Sequence, residues 1–265
     1  MIRIILLLKL FIVTTLLVVS CKKDKDNSNN NDQSNSNDQS NVAKGTLLFH
    51  MHTYIEDTEV DAYNVDMMTY AGRIISLSRA QFYISGIQLV KLDGSTVDLQ
   101  NNVIKLFESE GLTIGEVPVG NYKSVRFKVG LNATTNALLP SFSSDSIILK
   151  MQQMWFGSSA QPDGYVFMNV QGNIDTTNAV TGTPVPFCYK IGTNENYVSV
   201  SMPIQNFTVL KDNVNYVHMI VDYSKLFDGI DLTNPSNLNV SSAQDNSSSI
   251  ATMIKNNIPN LFRYE

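Results

Sequence analysis

This chain contains only three histidines, and two of them, His50 and His52, stand two residues apart in the run Gly45-Thr46-Leu47-Leu48-Phe49-His50-Met51-His52-Thr53-Tyr54-Ile55. In extended backbone alternate side chains leave the same face, so this spacing points both imidazoles one way and can bring them to one borderline or soft metal ion. Leu47, Phe49 and Met51 fall on the other face, the pattern of a strand with one buried side. His218 lies in a second strand-like run, Asn215 to Asp222, on the alternation face of Tyr216, Ile220 and Asp222. It becomes a third nitrogen ligand if that strand lies beside the first. The ordinary alternative is a solvated His-x-His face plus one hydrogen-bonded histidine near an interior.

Sulfur donors give a second lead. Met151 and Met154 bracket Gln152-Gln153 just before the sole tryptophan, Trp155. A thioether favours copper(I), and an indole beside a redox metal is oxidisable or can take a cation–π contact. A packed hydrophobic corner is the plainer account of Met154 and Trp155, and core filling explains Met51, Met168 and Met219. Enzyme templates do worse: the chain has no nucleophile elbow, no zinc-protease helix motif and no phosphate loop, and Cys188 has no base nearby in sequence. Asp61, Asp66, Asp145, Asp163 and Asp222 are generic carboxylates. Tyr54, Tyr63, Tyr122 and Tyr165 offer either stacking surfaces for glycans or half-buried sheet residues. The reading is a binding protein, not an enzyme.

The elements that must position these residues are strands. Candidates run over 74–77, 81–92, 97–99, 103–106, 112–117, 122–129, 146–151, 165–170, 185–191, 197–203, 207–210 and 215–222, separated by turn pairs such as Asp93-Gly94 and Asp163-Gly164. One short helix is expected over 247–257, stopped before Pro259. The fold class is all-β, an antiparallel sandwich or sandwich-like barrel with a short terminal helix. Residues 44–265 make one β domain.

Residues 24–41 contain no apolar side chain and read as a disordered tether, within a lipid-tether segment spanning 21–43. Upstream, residues 1–20 form a short hydrophobic leader whose Val18-Val19-Ser20-Cys21 resembles a lipobox, so Cys21 is the expected lipidation site and membrane anchor. The expected location is the bacterial cell envelope, outer membrane, on its periplasmic or surface face. Loss of the leader removes Arg3 and Lys9, leaving 17 basic against 24 acidic residues. Such a balance excludes nucleic-acid binding by charge.

Several segments together resemble the copper-binding protein MbnP-like family. They are Leu48-Phe49-His50-Met51-His52, the run from Ser78 to Leu89, the run from Val117 to Gly130, Met154-Trp155 with Gly164 to Phe167, Phe187 to Gly192, and Val221-Asp222 with Leu226-Phe227. The resemblance implies a β-sandwich-like fold and a copper site of histidine and methionine. It also implies a nearby tryptophan oxidised by a diheme cytochrome peroxidase partner. His52 matches the family's early histidine, and Met154 and Trp155 match its Met-Trp pair. Lys190 stands where the family usually has histidine, so His50 or His218 substitutes or the metal is lost. The alternative function is an envelope binding or structural lipoprotein without metal.

Overall fold

The first strand, β1 (Lys44–Ile55), buries Leu47, Phe49, Met51 and Ile55 and leaves His50 and His52 on the opposite face, as its alternation predicts. The structure, a computed structural model, describes residues 42–107, 109–139, 147–158, 161–177 and 182–265. The expected leader, Cys21 and nearly all of the tether lie outside the described residues. The other principal strands are β2 (Ile74–Lys91), β3 (Gly111–Pro118), β4 (Gly120–Val129), β5 (Gln161–Ile174), β6 (Val185–Gly192), β7 (Val214–Asp222) and β8 (Phe262–Tyr264).

They form two sheets. The smaller runs β8-β7-β1, with β3 and the two-residue strand Thr58–Glu59 sharing the far edge of β1. The larger runs Val198–Ser201, β4, β2, β5, β6, Asn239–Val240, with further short strands paired to β2, β4 and β5. Most neighbours are antiparallel, but β1 and β7 are parallel, with His50 directly opposite His218. Parallel neighbours need a long crossover; here all of the larger sheet except Asn239–Val240 lies between them in sequence.

Two expectations change. The segments 74–77 and 81–92 are one continuous strand, β2, because a register shift opposite Gln171 and Gly172 absorbs the interruption at Ser78-Arg79. The segment expected as a strand over 146–151 instead forms the tight turn Ile147–Lys150, with Ile147 81% exposed. Among the described residues its apolar run pairs with no strand. The expected helix is present over Ser249–Asn257, its first turn capped by the Ser248 hydroxyl, which accepts from the Ala251 amide at 3.2 Å.

The main core lies between the sheets, where Phe49 meets Phe127 and Phe262 bridges Phe127 and Phe82 at centroid distances of 5.0 and 5.5 Å. A second apolar cluster contains Tyr83, Leu131, Met154, Tyr165 and Phe167. Phe82 and Met168 belong to the main core, whereas their chain neighbours Tyr83 and Phe167 belong to this second cluster. Strand alternation therefore places the second cluster on the outer face of the larger sheet. The histidines occupy the outer face of the smaller one.

Candidate metal centre

The parallel pairing of β1 and β7 converts two remote sequence positions into neighbours. His50 Nδ1 lies 3.2 Å from His218 Nδ1, and His52 stacks edge-on to His50 with ring centroids 4.4 Å apart. One nitrogen from each of the three imidazoles falls within 4.8 Å of the others. Two ligands about 2.1 Å from a tetrahedral ion stand roughly 3.4 Å apart, so the 3.2 Å pair already has the separation of adjacent metal ligands. His50 and His52 are shielded, with side chains 26% and 15% exposed, while His218 is open at 48%.

Three glutamates surround the rings. A two-residue turn at Glu56-Asp57 folds Thr58–Glu59 back on β1, and Glu59 Oε1 meets His52 Nδ1 at 2.5 Å. Glu110 precedes β3 and sets Oε2 3.3 Å from His50 Nε2. Glu265 follows β8 and sets Oε2 3.2 Å from His218 Nδ1 and 3.7 Å from His52 Nε2. A carboxylate can only accept, so His50 donates from Nε2 and His52 from Nδ1. At the rim, Tyr216 packs near both His50 and His218, and burial with the Glu59 and Glu265 carboxylates raises the Tyr54 phenol above its usual range.

The structure places Met154 in the second apolar cluster and not beside the three histidines. Met154 is fully buried in the second cluster, on the other outer face of the sandwich. Trp155 packs against the same cluster, its indole N–H donating to the Leu149 carbonyl at 3.1 Å. Lys190 sits opposite Asn169 in the β5–β6 pair, in the larger sheet. Since the chain has only three histidines and all three are on the smaller sheet, the Met154-Trp155 corner has no imidazole partner.

Other candidates resolve into structural roles. Tyr122 and Tyr165 are almost fully buried, and Tyr63 stacks on Phe107, so none is a flat glycan platform. Asp222 is buried and accepts from the Glu56 and Ser224 amides. Cys188 is a free, half-buried thiol whose pKa burial pushes up, which disfavours the reactive thiolate. The three glutamates escape sequence reasoning because their positions depend on a hairpin, a strand entry and a strand exit.

A family model for MbnP matches residues 44–246. The chain belongs to the MbnP family. A solved structure, MbnP from Methylosinus trichosporium, superimposes with a TM-score of 0.52 at 14% identity, covering 80% of this chain and 88% of that one. At that identity the likeness to the solved MbnP shows a shared fold. A comparison with curated proteins returned no match.

Proposed function

We propose that this MbnP family member is an extracytoplasmic copper-binding protein whose metal is held by His50, His52 and His218. The observation that carries the reading is the convergence of all three imidazoles on one outer face, with donor spacing suited to a single ion. Imidazole suits copper, and copper(II) stands highest among the divalent first-row ions for such donors. The protein binds rather than catalyses. In this proposal Cys21 carries the lipid that tethers the domain to the envelope membrane, and a diheme cytochrome peroxidase acting on Trp155 is the partner that family resemblance suggests.

Titration of tag-free protein tests the metal. One copper per chain should bind with a Kd below about 1 μM, and His52→Ala should weaken it at least tenfold. No binding tighter than micromolar, or binding unchanged in His52→Ala, rejects the copper reading and favours a metal-free envelope protein.

A further inference from the structure

We infer that the end of the sandwich where the tether enters is a bilayer-docking surface, with its exposed aliphatic side chains seated among lipid headgroups. The inference rests on the proposal that Cys21 carries a lipid, and adds which surface the domain turns to the membrane. Backbone pairing gathers this end from remote parts of the chain. The Val119 amide donates to the Ala43 carbonyl at 2.9 Å and the Asp212 amide to the Lys44 carbonyl at 3.1 Å. Val214, the first residue of β7, stands opposite Thr46, and Val209 stands opposite Gly120 where β4 begins. Tyr122 pairs with Phe207 on one side and with Lys91, the last residue of β2, on the other, and the Gln205 amide donates to the Lys123 carbonyl. Val42, Leu92, Ile204, Leu210 and Val214 lie on these segments and are all exposed, Ile204 at 76%. They are five of the thirteen exposed large apolar or aromatic side chains among the described residues. Single exposed apolar residues are ordinary, whereas their collection at one end marks an interaction surface.

The position of the tether and the chemistry of the end name the occupant. Residues 22–41 separate Cys21 from Val42, and a polar coil of that length spans about 25 Å on average. An acyl anchor at Cys21 therefore holds this end close to the bilayer at an effective concentration of order millimolar. Isolated aliphatic tips with lysines between them suit a fluid headgroup layer, where each side chain inserts separately and each lysine lays its stem along the apolar surface with its ammonium in water. Lys44, Lys91, Lys123 and Lys211 here offset Asp93, Glu116 and Asp212, so this end escapes the acidic excess of the whole chain. At the far end of β1, Tyr70 and Met68 are also exposed, but the Tyr70 loop bonds to Glu56 and Asp57, and an anionic leaflet repels those carboxylates. His50 lies six residues along β1 from Lys44, about 20 Å in extended backbone, which leaves the histidine face clear of the headgroups.

The test uses the full-length protein purified from a bacterial envelope, with acylation of Cys21 read by mass spectrometry. Leu210→Trp and Tyr70→Trp are each made in the Trp155→Phe background, so that one indole reports from each end. Both are reconstituted into phosphatidylethanolamine/phosphatidylglycerol vesicles whose acyl chains are brominated near the headgroup. Bromine quenches an indole only near contact, so a side chain seated about 5–10 Å into the interface should lose most of its emission at position 210, with position 70 unaffected. Adding Leu92→Asp/Ile204→Asp should abolish quenching at position 210 while acylation, vesicle retention and the thermal midpoint stay as before. Equal quenching at both ends, quenching at position 70 alone, or an unquenched indole at position 210 overturns the inference, including the case in which crosslinking shows a second copy covering this end. With Cys21 acylated, each of those results leaves the tether reading standing. An unmodified Cys21 overturns both.

Discussion

Trp155 and the histidines were joined by the sequence pattern and are parted by the fold, and this separation makes a residue-level prediction. Trp155→Phe loses the hydrogen bond to the Leu149 carbonyl but keeps much of the ring packing. Denaturant unfolding should show a loss of about 1–2 kcal/mol, with copper affinity unchanged within about twofold. Met154→Ala should be harsher, about 2–5 kcal/mol, because a fully buried side chain leaves a cavity, again with copper affinity kept. A variant that folds but loses copper contradicts the two-face arrangement. At this scale the sequence carries the direction of His50 and His52, since period-two alternation needs only local backbone. It does not carry Glu59, Glu110 and Glu265, whose approach is set by pairing of β1 with Thr58–Glu59 and with β3, and of β7 with β8.

At the scale of elements, the long strand β2 bulges at Ser78, and the facing position on β5, Gly172, has no room for a side chain. A Cβ on Gly172 would run into the Ser76 carbonyl oxygen of β2 and crowd the Phe187 ring. Gly172→Ala should cost about 1–3 kcal/mol in urea unfolding; a neutral result would mean that the strands do not approach so closely there. The loop after Asn239–Val240 is held by Asp245, whose carboxylate accepts from the Ser241 and Ser242 amides and is thereby kept below the usual carboxylate range. A depressed folded-state pKa means that its stabilisation is present above the ordinary aspartate value of about 3.9 and is lost as pH falls through the lower folded value. The stability of Asp245→Asn should therefore fall less steeply in acid than that of wild type, measured by urea midpoints between about pH 5 and 2. Most strands were legible because their apolar runs end at turn residues. The 146–151 segment misled because Ile147, Ile148 and Leu149 are apolar enough for a strand yet pair with no strand among the described residues, and of the three Leu149 alone is buried.

The whole molecule explains why composition and motif could name a β-sandwich but not locate its metal. Two sheets enclose one aromatic core, and each outer face carries a different part of the pattern that MbnP resemblance brings together: imidazoles on the smaller sheet, the Met154-Trp155 pair on the larger. Sequence order alone cannot assign a residue to an outer face until the pairing of β1 with β7 is known, since these strands are parallel and separated by 158 residues from Ile55 to Val214. Anomalous diffraction at the copper edge from copper-loaded, tag-free crystals tests the arrangement directly. The account predicts one strong peak within about 2.2 Å of nitrogens of His50, His52 and His218. A peak beside Met154 and Trp155, with the three histidines metal-free, would contradict it.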